Sequence, residues 1–313
     1  MSDSVVQVFA DSMRSPEDYL YVLLDPLAGC NPDHPLHADA LKEKLGEDAL
    51  VRLPRPDFAH VPEMAPALVM IAAPGAVADH GMLALLQAYA HDDEGYRKRY
   101  VCGWLTAPLR PEAMASHIVA LCHAAQPAEH GPFIPLYEPP RLELWAAALR
   151  GDLGAYLWPI RQWLYPVSWG GFVLFNGSPG STHGLPPVAH ETQAEAALVS
   201  TMLAAWRRSL CESMSYAPWR WQPGGPLPPQ AASRAFRMIR DARRSGLRNN
   251  EDIIVLALHR VTVHPDLAEH ERIRADLVRA AKGEASLSEL FQDYDSAALQ
   301  YVASSLPHAK DYP

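Results

Sequence analysis

The sequence predicts an α/β protein in which an N-terminal mixed α/β layered domain is followed by an all-helical C-terminal domain. Three observations carry this. Short apolar, β-rich runs alternate with stretches of helical spacing as far as Phe175, the pattern of a layered α/β structure. Of the 29 prolines, only Pro265, Pro307 and Pro313 lie beyond Gln230. Charge is distributed the other way, with 24 Asp, Glu, Lys and Arg residues in positions 231–313 alone. The expected organisation is an α/β domain over residues 16–188, a helix and Pro/Trp-rich linker over 189–230, and a helical domain over 231–307.

Taken in chain order, Tyr19-Leu-Tyr-Val-Leu-Leu-Asp25 is a continuous apolar run stopped by Pro26, as expected of a buried strand. His37 to Leu45 has helical spacing and stops at Gly46. Ala49 to Leu53 and Ala67 to Ile71 are short strands closed by Pro54 and Pro74. Met82 to Tyr89 is helical, and Tyr100 to Leu105 is a third buried strand. Pro111 is suited to a first helical turn, and the helix it opens runs to about Ala125. Phe133 to Tyr137 and Gly171 to Phe175 read as the last strands. Arg141 to Leu149 and Leu153 to Trp163 read as helices between them.

A loop over 177–187 leads to a long helix from about Glu191, where Leu198, Met202, Trp206 and Leu210 form one apolar stripe. Tyr216 to Pro229 holds five prolines and reads as a wrapped linker. Beyond it, Ser233 to Ser245 ends at Gly246, a suitable C′ residue. Asn249 and Asn250 are capping residues, with Glu251 and Asp252 in the first turn they open. Leu267 to Ala281 is a further amphipathic helix. Ser286-Leu-Ser-Glu289 is a capping box for a last helix that presents Leu290, Phe291, Tyr294, Ala298 and Tyr301 to a core.

An apolar content of 49% excludes general disorder. The most apolar stretch, Ala67 to Ala90, is interrupted by Pro74, Asp79 and His80, which argues against a membrane span. No secretory signal is visible before Asp18, and a net charge of −9 makes nucleic acid a poor partner. Four scattered cysteines fit neither a disulfide framework nor a zinc ribbon. These points predict a soluble, cytoplasmic protein.

The search for chemistry is mostly negative. No nucleophile elbow, Walker-type loop, dinucleotide fingerprint or HExxH is present, and no catalytic residue, cofactor or metal is expected. Asn176 to Gly180 follows a strand but lacks the helix start a phosphate needs. Among the 14 histidines, His34/His37, His117/His123 and His183/His190/Glu191 come nearest to ligand groupings. Their spacing fits helix ends and surface positions better than a metal site. A metal-dependent hydrolase built on them is the rival reading. The run His91 to Arg99, with Asp92 and Asp93, reads as a solvated connection.

Two features suit protein binding. Arg234, Arg237, Arg240 and Arg244 recur at helical spacing, with Arg243 and Arg248 beside them and only Asp241 opposing, and arginine forks suit carboxylates on a partner. Trp219 and Trp221 sit in the proline-rich linker, where stiffly held aromatics can anchor an interface. Solvated face and internal clasp are the respective alternatives.

Five segments follow one another in a recognisable order: Tyr19 to Asp25, Leu68-Val-Met-Ile-Ala-Ala-Pro74, Leu136-Tyr-Glu-Pro-Pro-Arg141 with the helix after it, Trp158-Pro-Ile-Arg-Gln-Trp163, and Arg243-Arg-Ser-Gly-Leu247 with Glu251-Asp252. Their order resembles the bacterial type VI secretion adaptors, effector chaperones that share a domain of unknown function. Glu138 stands where the family has Asp, and Pro140 is inserted before Arg141. The resemblance spans about residues 16–300. It implies a non-enzymatic adaptor that binds a cognate secreted toxin and helps load it onto the spike tip protein. Asp25, Tyr137, Glu138, Pro139, Arg141, Trp158, Pro159 and Ile160 are then structural motif residues. A carboxylate at Glu138 and an arginine at Arg141 also suit a charge-assisted tie between sheet and helix. An effector or immunity protein of the same kind of locus is a further alternative.

Overall fold

The computed structural model describes residues 4–92, 98–126, 131–149, 153–182, 184–212 and 225–307. The chain divides into two compact units, 1–194 and 195–313. The N-terminal unit is a mixed α/β layer structure and the C-terminal unit is helical, as the sequence predicts.

Six strands form one fully antiparallel sheet in the order β2-β3-β1-β4-β5-β6. They are β1 (Tyr19–Leu24), β2 (Leu50–Arg52), β3 (Ala67–Ala72), β4 (Val101–Ala107), β5 (Gln162–Pro166) and β6 (Phe172–Asn176). Antiparallel sheets commonly have one wet face. Here both faces are covered, so β1, β3 and β4 read as unbroken apolar runs. Tyr21, Leu23, Leu68 and Leu105 face a core shared with Met114 and Ile118 of α4 (Pro111–Ala124) and with Leu142 and Trp145 of α5 (Pro139–Leu149). Leu20, Val22, Val69 and Trp104 face the opposite core. That core takes Val6 from α1 (Val5–Val8), Leu41 from α2 (Ala38–Leu45), and Met82 and Leu86 from α3 (His80–Asp92). It also takes Phe9, from the turn of π-helix that continues α1, so it begins upstream of position 16.

Two strand and helix expectations need correction. Phe133 to Tyr137 is not a strand. Prolines at 132 and 135 remove ladder donors, and the segment instead turns into α5 through the Glu138 amide on the Pro135 carbonyl (3.0 Å). The helix expected over Leu153 to Trp163 stops early, as α6 (Leu153–Leu157), because Pro159 cannot continue it, and Gln162 to Pro166 becomes β5. The Trp158–Pro159 bond is cis. β5 and β6 come close behind it, and Gly177 makes this possible: a Cβ there would lie 1.8 Å from the Ile160 carbonyl oxygen.

Helix α7 (Pro187–Leu210) starts four residues ahead of its expected position, and the unit boundary falls inside it. The C-terminal unit then holds α8 (Ala231–Arg244), α9 (Asn250–Thr262), α10 (Glu271–Ala281), α11 (Leu287–Phe291) and α12 (Ser296–Ser305). Asn249 caps α9 and the Ser286/Glu289 box caps α11, as predicted. The single last helix of the sequence reading is in fact two, because Asp295 caps a new start at α12. That break rotates the buried face, so Leu299 and Val302 are buried and Tyr301 is 70% exposed. The helix expected from Leu267 likewise starts at Glu271, after a short 3-10 turn.

Candidate functional site

Asp25, Glu138 and Arg141 meet at one end of the sheet in a chain of alternating charge. Asp25, fully buried, leaves β1 with its amide on the Tyr100 carbonyl (2.8 Å) and accepts the Leu27 amide on Oδ1 (3.0 Å). Its Oδ2 lies 3.6 Å from Lys98 Nζ. Lys98 in turn donates to Glu138 Oε1. Glu138 Oε2 accepts from Arg141 Nε at 2.8 Å. Arg141 then donates to the Gln193 carbonyl (3.1 Å) while Gln193 Nε2 donates back to the Arg141 carbonyl (3.1 Å). The predicted tie between Glu138 and Arg141 is therefore present. It reaches the sheet through Lys98 and Asp25, because Glu138 itself is not at a strand end.

Burial pushes the Asp25 carboxyl above the usual range, against the opposing pull of the Lys98 cation and the Leu27 amide. Burial would lower Lys98, but the Glu138 carboxylate outweighs it and holds the ammonium above its ordinary value, with Asp25 adding to the effect. Each charge thus has a partner of opposite sign, the condition under which buried ions are tolerated.

Tyr137 is buried beside this chain and its hydroxyl accepts from Arg55 Nη1. Arg55 also holds Asp57 in a fork (3.1 and 2.5 Å), and its guanidinium lies 4.4 Å from the Phe58 ring centre and 4.3 Å from that of Phe133. Pro139 occupies the first turn of α5, where a missing N–H costs nothing. Ile160 is buried in the core and Trp158 is 38% exposed. The arrangement is a fastening. Its carboxylates are already occupied by cations, and Cys122, the nearby thiol, is raised to about 12 by burial and so kept as an unreactive thiol.

Sequence reading missed Lys98, which it placed in a solvated run. Lys98 and Arg99 are instead drawn in, Arg99 donating to the Ala90 and Val167 carbonyls at 3.3 and 3.4 Å. The available signal was their position directly before the β4 run, where a long cationic side chain can fold back over a sheet end. Asp93 lies outside the described residues.

Among the described residues, no group of three or more His, Cys, Asp or Glu is placed to hold a metal. His183 lies outside the described residues, and three of the other histidines meet backbone groups. His34 Nδ1 accepts the Leu36 amide (3.1 Å), His37 Nδ1 caps α2, and His117 Nε2 meets the Leu157 carbonyl at 3.2 Å. A cleft of about 410 Å³ is lined by residues including Gly29, His34, Leu85, Tyr89 and Asp92, which make no catalytic grouping. Among the described residues no helix is long and apolar enough to cross a membrane.

In the C-terminal unit, α8 buries Ala231, Ala235, Phe236, Met238, Ile239 and Ala242. At about 100° per residue, Arg234, Arg237, Arg240 and Arg244 fall together on the opposite side. Arg237 and Arg244 are exposed, and Arg240 Nε has no hydrogen-bond partner. Arg234 Nε is tied to the Pro229 carbonyl (3.0 Å). Arg243 stands apart, paired with Glu195 (2.5 and 3.1 Å). Trp219 and Trp221 lie outside the described residues. No protein-family model, curated protein or solved structure matches this chain.

Proposed function

We propose that this protein is a non-enzymatic adaptor of a type VI secretion system, acting in the cytoplasm to bind a cognate toxic effector and help load it onto the spike tip protein. The observation that carries the reading is the joining of Asp25, Glu138 and Arg141. Asp25 comes from one motif segment and Glu138 with Arg141 from another, the order of these segments resembles the adaptor family, and Lys98 joins them in one ionic chain. A chain in which each charge faces one of opposite sign suits a scaffold. The arginine face of α8 suits acidic groups on the cargo, through forked, charge-assisted hydrogen bonds.

The experiment is affinity purification of the tagged protein from cells that express the genes beside its own. Retention of one neighbouring effector or of the spike tip, weakened by Arg237→Glu with Arg244→Glu, is the expected result. Recovery of the protein with neither component, from cells shown to contain both, overturns the reading.

A further inference from the structure

The two edges of the sheet differ in character. β2 has three residues, includes Arg52 and runs into Pro54, the kind of features by which proteins blunt an edge. β6 has none of these. Phe172-Val-Leu-Phe-Asn176 lacks charge and proline, and residues 162–182 contain no Asp, Glu, Lys or Arg in a chain of net charge −9.

Opposed residues of an antiparallel pair alternate between those that exchange hydrogen bonds and those that exchange none. The Gly177 amide donates to Arg161 (2.8 Å) and the Val167 amide to Gly171 (3.2 Å), while the register sets Phe175 on Trp163 and Val173 on Tyr165. Positions 171, 173, 175 and 177 therefore turn their backbone groups toward β5. Phe172, Leu174 and Asn176 turn theirs outward, and among the described residues these have no backbone partner. Gly154 approaches the Asn176 carbonyl, so the open length is Phe172 to Leu174 together with the Asn176 amide. Side chains 172–175 are only half-buried, unlike those of the inner strands.

We propose that this edge is a homodimer interface, in which β6 of a second copy pairs antiparallel with β6. A two-fold axis beside Val173 sets Phe172 against Leu174 of the partner subunit, and the converse, so the open Phe172 and Leu174 donors each meet an open acceptor. The uncharged run places no like charges together, which few surfaces of so acidic a chain could do. Phe172 and Leu174 share the face occupied by Trp104 and gain cross-strand neighbours. This inference is independent of the adaptor reading.

Sedimentation equilibrium of the full chain tests it, with twice the 34.5 kDa monomer mass expected as concentration rises through the micromolar range. Leu174→Pro deletes an outward N–H and spares the β5 ladder, and symmetry doubles the loss. The dimer dissociation constant should rise roughly thirtyfold. Hydrogen exchange on the wild-type protein supplies a second reading that needs no variant: the Phe172 and Leu174 amides should gain protection as the dimer forms. A monomer at every concentration overturns the proposal, as does a dimer whose Leu174 amide stays unprotected. If Leu174→Pro folds and remains equally dimeric, the proposal is also overturned.

Discussion

Asp252, in the first turn of α9, accepts a hydrogen bond from the backbone amide of Leu287 at 2.7 Å and so caps a second helix, α11, from a distance in sequence. Asp252 is 4% exposed. One carboxylate thereby serves the dipole of its own helix and a free donor at the start of another.

Asp252→Ala removes that acceptor and leaves the Leu287 amide buried without one. A loss of about 1–3 kcal/mol is expected, with Asp252→Asn losing less because the amide oxygen still accepts. Amide exchange at Leu287, followed by mass spectrometry, checks the mechanism. Unchanged protection in the alanine variant would contradict it.

Lys98→Met leaves Asp25 and Glu138 as buried carboxylates with one fewer cation between them. The expected loss is about 2–3 kcal/mol, at the low end for buried pairs because the Lys98 side chain is 34% exposed. The penalty should shrink as pH falls. Asp25 already has a raised carboxyl pKa in the folded protein, so its protonation favours the native state once its partner is gone. Thermal unfolding of both proteins from neutral to mildly acidic pH separates this outcome from a simple loss of packing.

Asp18 is fully buried, and neither of its carboxyl oxygens has a hydrogen-bond partner. Burial raises its pKa, and the Arg161 cation, 3.4 Å away, opposes that rise without cancelling it. A raised carboxyl disfavours the folded state above its folded pKa and stops doing so as pH falls toward the ordinary value of 3.8. Asp18→Asn should therefore unfold at a higher temperature than wild type at pH 7, with the gap closing on acidification. A gap that widens in acid would reverse the sign and refute the assignment.

Gly177→Ala puts a methyl group into the Ile160 carbonyl. Backbone faces backbone there, so neither side can rotate away, and a cost of about 3 kcal/mol or more is expected. Loss of near-ultraviolet circular dichroism from the aromatic-rich β5 region at moderate temperature is the readout. A variant as stable as wild type would mean that the β5–β6 connection is not so closely held.

The arginines of α8 should separate by role. Arg237→Glu and Arg244→Glu sit on an exposed face and should change stability by no more than about 0.5 kcal/mol. Arg243→Ala breaks the fork on Glu195 and should cost about 1 kcal/mol. Chemical denaturation, read by the helical signal, distinguishes the two classes.

How much was legible in the sequence depended on whether the signal was local. β1, β3 and β4 were readable because burial on both faces demands unbroken apolar runs. The caps at Asn249 and Ser286 were readable because a cap acts within one turn. β5 was not, since Gln162-Trp-Leu-Tyr-Pro166 is five residues long and its apolar spacing also fits a helix following α6. Residues 133–137 misled for the opposite reason: their composition suits a strand, but their prolines do not. Of the candidate site, Glu138 and Arg141 are three apart and were foreseen as a pair. Lys98 is bound to partners far away on both sides in sequence, and no local pattern announces such a residue.

The central place of β1 has a consequence for how the chain is made. β1 is synthesised before the other five strands of its sheet, yet both of its edges are occupied by strands that emerge later, β3 and then β4. Until Ala107 has left the ribosome, the fully apolar Tyr19–Leu24 segment lacks one of its neighbours. Synthesis at about 5–20 residues per second leaves that nascent segment uncovered for several seconds, long enough for a chaperone to engage it. A ribosome-bound chain stalled before Val101 should accordingly be cleaved by protease near β1, and one extended past Asn176 should resist.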